Sequence, residues 1–247
     1  MKKNYRAVIQ YEGTRYQGWQ KQTSTQNTSQ QKLEDLLTKL EGESVEVFAS
    51  GRTDAGVHAY GQVISFRLKT EMRTKEIMEY MNQYLPEDIG VISLVKASER
   101  FHARLNAVGK IYEYRVMNTS VPHIFDRRYV HVVSKKLDVT AMRKGIMYLE
   151  GKHDFKAFTS KKNSKKSTVR TIHKITLEEK GDELYFTFYG DGFLYHMVRI
   201  LMGTLLEIGM GERRAESILQ IFEEKNRKNA GFLAPAKGLA LVKVLYD

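Results

Sequence analysis

The segment SQQKLEDLLTKLEG, residues 29–42, predicts an amphipathic helix, and it decides the fold class of the first half of the chain. Its apolar face comprises four leucines: Leu33, Leu36, Leu37 and Leu40. Apolar residues at three- and four-residue spacing lie on one side of a helix. Gly42 stands where a C-cap glycine is favoured, because glycine adopts the left-handed conformation without strain. The region around residues 29–42 is therefore a helix that packs one side against a core.

Strand-like segments stand on both sides of this helix. NYRAVIQYE from Asn4 alternates apolar and polar residues, and VEVFAS from Val45 and QVISFRL from Gln62 follow the helix. A second helix, TKEIMEYMNQYLP, has Thr74 as its expected N-cap and precedes the strand IGVISLVKA from Ile89. The order βαββαβ is that of ferredoxin-like and RNA-recognition folds.

The second half repeats this order of elements. The predicted segments are a strand at residues 109–118, a helix at 139–151, strands at 171–180 and 183–190, a long apolar helix at 191–211, a short helix at 216–225 and a strand at 238–246. The pair Gly181-Asp182 predicts the hairpin between two of the strands. We therefore expect an α+β protein of two βαββαβ halves, residues 1–105 and 106–247, whose antiparallel sheets form a central sheet.

Composition and charge narrow the possible functions. The chain has 247 residues, of which 42% are hydrophobic, and no cysteine, which removes disulfides and thiolate sites and suits a reducing cytoplasm. No apolar run approaches the ~18–20 residues of a membrane span, and the N-terminus lacks the apolar core of a signal peptide. Forty Lys and Arg against 29 Asp and Glu give a net charge of +11. This charge fits a polyanionic partner such as nucleic acid, although it can also serve solubility alone.

The loop ASGRTDAGVHAYGQ, residues 49–62, sets one carboxylate between two glycines. The glycines permit positive φ and close approach of a ligand, and the neighbouring Arg52 favours the ionised form of Asp54. An ionised, positioned aspartate can act as a nucleophile or a base. A plain Asp-Ala-Gly turn would use Asp54 only to cap backbone amides. His58 in the same loop is a candidate substrate contact, although a lone histidine is more often a hydrogen-bonded structural group.

Two further segments combine cations with apolar or aromatic side chains. RFHARLNAVGKIYEYRV, residues 100–116, interleaves cations such as Arg104 with aromatic residues such as Tyr112. Aromatic rings in basic surroundings stack on unpaired bases, whereas strand alternation alone would bury them. DGFLYHMVR, residues 191–199, ends in Arg199 after an apolar helical turn. A buried cation needs a carboxylate partner, and Asp54 is one candidate.

A lysine-rich segment, KAFTSKKNSKKSTVR at residues 156–170, has few apolar residues and predicts a loop. The side chains expected to contact phosphate are Lys161, Lys162, Lys165 and Lys166. A solvated loop without a ligand is the alternative. The scattered histidines, the absence of HExxH and the absence of GxGxxG or GxxxxGK motifs lead us to expect neither a metal nor a nucleotide cofactor.

The loop GRTDAGVHA, residues 51–59, closely resembles the signature of the tRNA pseudouridine synthase A family. Other segments resemble that family in the right order: YEGTRYQGWQKQ from Tyr11, FHARLNAVGKIYEYRV, FLYHMVRILMGTLLEIGMG and PAKGLALVKVLY. The departures are small, with Glu12 where Asp is more usual and Ala240 where a larger residue is common. The resemblance covers most of the chain.

The resemblance implies a reaction and a set of roles. Family members isomerise uridine to pseudouridine in the anticodon stem-loop of tRNA, just 3′ of the anticodon, with one aspartate and without metal or cofactor. By this resemblance Asp54 is the catalytic aspartate, Arg199 its paired cation and Tyr112 the ring stacked on the target base. With the four loop lysines, the further expected substrate contacts are Arg52, His58 and Arg104. The resemblance also implies a homodimer whose two subunits both contact tRNA.

The resemblance leads us to expect an RNA-binding cleft between the halves. The target base must leave its stack to reach an aspartate, and a lone carboxylate fits isomerisation better than glycoside hydrolysis, which uses two. The alternatives are the same fold acting on another structured RNA and a non-catalytic RNA-binding protein. A DNA-binding regulator would need an exposed basic helix, and the helix near Met197 is too apolar. We therefore expect a cytoplasmic enzyme with neither DNA nor membrane as partner.

Overall fold

The computed structural model describes residues 1–121, 123–161 and 166–247. Lys162 and Lys165, two of the four lysines expected to contact phosphate, lie outside the described residues. The chain forms two compact units, one of Met1–Val108 with Ala240–Asp247 and the other of Gly109–Leu239. The expected division into residues 1–105 and 106–247 differs mainly in the last strand, which belongs with the first unit because it pairs with a strand there.

The first unit has the predicted βαββαβ order. Its elements are β1 (Lys3–Tyr11), α1 (Ser29–Glu41), β2 (Phe48–Ala49), β3 (His58–Leu68), α2 (Thr74–Tyr84) and β4 (Ile89–Lys96), and the last strand of the chain, Leu239–Tyr246, adds to its sheet. β1 lies between β4 and β3 and is antiparallel to both. The other edge of β3 is shared, since β2 pairs antiparallel at Ile64 and Ser65 and the last strand pairs parallel at His58 and Ala59.

The two helices of this unit form much as the sequence predicts. Leu33 and Leu37 on α1 are fully buried, and Gly42 ends the helix at a φ of +76°. In α2, Thr74 is the first helical residue rather than the N-cap. Arg73 takes the cap position because its N–H donates to the side chain of Glu76 at 2.7 Å.

The strand predicted from Val45 is shorter than expected. Only Phe48–Ala49 pairs with β3. Val45 and Val47 are buried, but their backbone N–H groups donate to α1 side chains, the former to Thr38 at 3.1 Å and the latter to Glu34 at 3.1 Å. Val45 and Val47 are therefore buried in alternation although neither pairs with another strand.

Most strand pairs of the second unit are antiparallel. Its elements are β5 (Ala107–Met117), β6 (His131–Val132), α3 (Val139–Leu149), β7 (Gly151–Asp154), β8 (Val169–Lys180), β9 (Glu183–Gly190), α4 (Met197–Gly209) and α5 (Ser217–Glu224); the last strand of the chain is β10 (Leu239–Tyr246). The order within this unit is β5-β9-β8-β7, with β6 parallel on β5. The predicted hairpin at Gly181 is confirmed, with a φ of +61°.

The long helix starts later than the sequence predicted. It begins at Met197 rather than Asp191, because Asp191 accepts a hydrogen bond from the Thr171 N–H at 3.0 Å and His196 adopts a left-handed φ of +65°. All residues of α4 are buried except Arg199 and Glu207. α4 is therefore the central core helix of the second unit, and Arg199 is one of the two polar groups at its margin.

Candidate active site and its supports

Asp54 lies in the connection between β2 and β3, and the segment after β1 holds both sides of it. The Trp19 N–H donates to the Thr53 carbonyl at 3.0 Å, and the Gly56 N–H donates to the Tyr16 carbonyl at 3.3 Å. These backbone bonds fix the residues immediately before and just after the carboxylate. Asp54 itself is half-buried.

Two glycines allow this close approach. Gly18 has a φ of +89°, and a Cβ added to it would lie 2.9 Å from the Thr53 carbonyl oxygen. A Cβ on Gly13 would lie 2.0 Å from the Val57 carbonyl oxygen. The motif YEGTRYQGWQ is therefore a cradle for the Asp54 loop, and its glycines are positions where one backbone passes against another.

The base of the loop is closed by buried polar groups. The Ser50 hydroxyl donates to the Gln62 amide oxygen at 2.7 Å, and the Gln62 amide nitrogen donates to the Gly51 carbonyl at 2.8 Å. The Val57 N–H donates to the Asp54 carbonyl at 3.1 Å, which closes a tight turn. Asp54 thus lies in a tight turn, and hydrogen bonds of Gln62 hold the residues that lead into it.

The sequence predicts that the charge of Arg52 favours the ionised form of Asp54, but the two side chains form no ion pair. Its side chain is exposed and pairs with no carboxylate in the part of the chain that the structure describes. An exposed guanidinium two residues from the carboxylate is instead available to a phosphate.

His58 is buried, with 5% of its surface exposed. Its Nδ1 accepts a hydrogen bond from the Gly13 N–H at 3.0 Å. A nitrogen that accepts a hydrogen bond carries no proton, so the 3.7 Å approach of Glu12 to the same atom is not an ion pair. The geometry is that of a group that positions the cradle, which differs from the substrate contact expected of His58.

In the second unit, Tyr112 and Tyr114 share one face of β5. Tyr112 is 8% exposed and meets the ring of Phe193 edge-on, with centroids 5.2 Å apart. Tyr114 is fully buried, and its hydroxyl donates to the Pro235 carbonyl at 2.8 Å. Burial raises the pKa of Tyr114 well above its usual value, although the nearby Arg199 cation opposes the shift.

Arg199 lies in the first turn of α4 and is held by a reciprocal contact with Ala234. The Arg199 Nε donates to the Ala234 carbonyl at 2.7 Å, and the Ala234 N–H donates to the Arg199 carbonyl at 3.1 Å. A Cβ on Gly203 would lie 1.9 Å from the Phe232 carbonyl oxygen, so the segment around Phe232 rests directly on α4. The guanidinium is therefore oriented by backbone.

The remaining predicted contacts are on the surface. Lys161, Lys166 and Arg104 are exposed. The first unit has 16 Lys and Arg against 14 Asp and Glu, a net charge of +2, whereas the second has 24 against 15, a net charge of +9. Most of the excess positive charge thus belongs to the unit that carries the lysine-rich loop.

Two classes of feature do not occur among the described residues. No group of three or more His, Cys, Asp or Glu side chains there is arranged to hold a metal ion. None of the helices formed by residues 1–121, 123–161 and 166–247 is long and apolar enough to cross a membrane.

The supports of the site were harder to predict than its candidate residues. Tyr16, Trp19 and Ala234 act through backbone groups, which leave no chemical signature in a side-chain pattern. The signal in the sequence that could have revealed the cradle is the pair of glycines at Gly13 and Gly18. Each marks a place where no side chain fits.

Comparison with known proteins gives one family. The family model described as tRNA pseudouridine synthase matches residues 7–106 and 146–247. The chain is 45% identical over 238 residues to "tRNA pseudouridine synthase A" of Bacillus sp. (strain KSM-64), covering 96% of this chain and 97% of that protein. It is 42% identical over 244 residues to "tRNA pseudouridine synthase A 2" of Clostridium perfringens (strain 13 / Type A), covering 99% and 100%. Matches that span both chains almost completely leave one assignment: the chain belongs to the tRNA pseudouridine synthase A family.

Proposed function

We propose that this protein isomerises uridine to pseudouridine in the anticodon stem-loop of tRNA and that Asp54 starts the reaction. Family membership supports the reaction and the tRNA substrate. The observation that carries the role of Asp54 is its position, half-buried on a loop anchored through backbone bonds by Trp19 and Tyr16. A carboxylate held in this way keeps its place when a substrate arrives, as nucleophiles and bases require.

The reaction balances without a cofactor. The bond between N1 of uracil and C1′ of ribose breaks, the base turns, and a bond forms between C5 and C1′. The hydrogen on C5 leaves as a proton, and N1 gains one, so nothing is oxidised or reduced. A single ionised carboxylate can begin this sequence by attack on the sugar or the ring, or by removal of a sugar proton.

The other residues receive roles that follow their chemistry. Tyr112 supplies an aromatic face for the target base, and Arg199 supplies a cation oriented by the Ala234 backbone. Arg52, Arg104 and the loop lysines contact phosphates. We propose that His58 positions the cradle instead of touching RNA. We also propose that the protein is a homodimer and that it acts in the cytoplasm.

The assay follows from the loss of the C5 hydrogen. Purified protein is incubated with an anticodon stem-loop carrying tritium at C5 of each uridine, and released tritium and pseudouridine are both measured. We expect both signals in equal amounts. Binding of the stem-loop without either product favours the non-catalytic RNA-binding alternative, and product from other structured RNAs alone places the substrate elsewhere.

The cradle gives a prediction with a matched control. Gly18→Ala and Gly42→Ala each place a side chain at positive φ, but only the former crowds the Thr53 carbonyl; nothing lies within 4 Å of a Cβ at Gly42. Both changes should lower stability by about 1 kcal/mol or more, and overpacking should add about 1–3 kcal/mol for Gly18→Ala. Turnover per folded molecule should fall only for Gly18→Ala, because its added methyl displaces the backbone that carries Asp54. Melting temperature and single-turnover rate test this, and equal turnover in the two variants would show that the cradle does not position the carboxylate.

The lysine-rich loop should contribute to tRNA affinity. Replacement of Lys161, Lys162, Lys165 and Lys166 by alanine should flatten the plot of log affinity against log salt. Each lost phosphate contact removes up to ~0.9 from the slope, or ~0.7 for single-stranded RNA. The control replaces four exposed lysines of the first unit and so makes the same change in net charge: Lys39, Lys69, Lys75 and Lys96. If the two quadruple variants have the same slope, the loop makes no specific phosphate contacts.

A further inference from the structure

Tyr195 is an exposed aromatic residue just before α4 that none of the roles above uses. Its ring stacks on the next residue, His196, with centroids 3.6 Å apart and planes inclined by 27°. Tyr195 is 56% exposed. Because His196 covers one face of the ring, the exposed area includes the opposite face.

The pair is held in place from the stem of the lysine-rich loop. The Thr159 hydroxyl donates to the Tyr195 carbonyl at 2.9 Å, and the Ser160 hydroxyl lies 2.9 Å from the His196 Nδ1. His196 itself has a φ of +65°, a conformation that residues other than glycine rarely adopt. The ring therefore does not depend on a ligand for its position, and a fixed ring loses little conformational freedom on binding.

Cationic residues stand close to the pair along the chain. Exposed Lys161 follows Ser160 directly, and Arg199 is four residues beyond Tyr195. The unit that contains them carries a net charge of +9. A flat aromatic face beside cations fits a splayed-out nucleotide, whose base stacks while its phosphate meets the charge.

We propose that Tyr195, backed by His196, is a stacking platform for an unpaired base of the RNA, distinct from the target uridine assigned to Tyr112. This inference rests on the proposed function and deepens it by naming a second base contact. The proposed substrate is the anticodon stem-loop, so the isolated stem-loop is the RNA used in the test.

The test compares Tyr195→Ala, Tyr195→Phe and a control, Tyr84→Ala. Tyr84 has the same exposed fraction, 56%, and also contacts a neighbouring ring, that of Tyr80, with centroids 4.8 Å apart, but it lies on α2 of the first unit. We expect Tyr195→Ala to weaken stem-loop binding about 5- to 150-fold, and the phenylalanine variant and the control to stay within about twofold of the unaltered protein. The salt slope should not change, since no charge is removed.

Three results bear on the proposal. Unchanged affinity of Tyr195→Ala overturns it, as does a change in oligomeric state measured by sedimentation, which would assign the ring to a subunit contact. Selective loss of affinity for Tyr195→Ala alone supports it. Pseudouridine formation by the unaltered protein is measured on the same stem-loop, so failure of the reaction is recognised separately from failure of the platform.

Discussion

Asp54→Asn is expected to abolish pseudouridine formation while leaving tRNA affinity unchanged or slightly higher. The amide cannot act as nucleophile or base, so the single-turnover rate should fall by about 10⁴-fold or more, as when the central group of an active site is removed. Affinity is dominated by phosphate contacts, and the change removes one negative charge from a surface that meets a polyanion. The isosteric amide fits the same turn, so the melting temperature should change little.

The matched control is Glu46→Gln, which removes one exposed carboxylate from the same unit. It should leave turnover, affinity and melting temperature unchanged. Asp54→Glu adds a third comparison, because it keeps the charge but moves it by one methylene. We expect Asp54→Glu to lose most turnover, since the anchored loop cannot move to compensate. Near-normal turnover of Asp54→Asn would remove Asp54 from the chemistry.

The order of elements was predictable because it depends on local periodicity. The leucines of α1 and the alternation in β1 each identify an element from a short segment. The place of β10 was not predictable in the same way, because the strand pairs with β3, with partners 182 residues apart along the chain, as Ala240 and His58 are. Val45 and Val47 show a second limit of prediction from periodicity. Both are buried and alternate like strand residues, but their backbone N–H groups donate to side chains of α1 and not to a neighbouring strand.

The residues of the candidate site could be proposed from the sequence, but their contacts could not. Asp54 and Tyr112 were proposed from motif and chemistry, and both roles stay predictions. Arg52 was expected to favour the ionised form of Asp54 and to contact the substrate; its side chain is exposed, and the substrate contact stays a prediction. His58 was expected on the substrate but bonds the Gly13 backbone. The segment that contains Tyr195 stood out in the sequence only through Arg199, because the exposure of a side chain depends on the whole fold and a tyrosine beside a histidine has no distinctive pattern.

Tyr112→Leu is expected to lower both tRNA-dependent turnover and stability, whereas Tyr112→Phe should keep stability and binding. Leucine removes the aromatic face, and stacking is worth ~1–3 kcal/mol per base. The residue is only 8% exposed and meets Phe193 edge-on, so leucine should also cost about 1–3 kcal/mol of folding stability. Phenylalanine keeps the face, so any loss should appear in the chemical steps alone, where the hydroxyl can take part in a proton transfer.

Tyr114 provides the control that separates a base contact from a core residue. It lies on the same face of β5, is fully buried and donates its hydroxyl to the Pro235 carbonyl. Tyr114→Leu and Tyr114→Phe should both lower the melting temperature, because each leaves the half-buried Pro235 carbonyl without its donor. Turnover per folded molecule should stay near that of the unaltered protein in both. If Tyr112→Leu behaves like Tyr114→Leu, destabilised but fully active once folded, Tyr112 belongs to the core and another aromatic side chain must receive the target base.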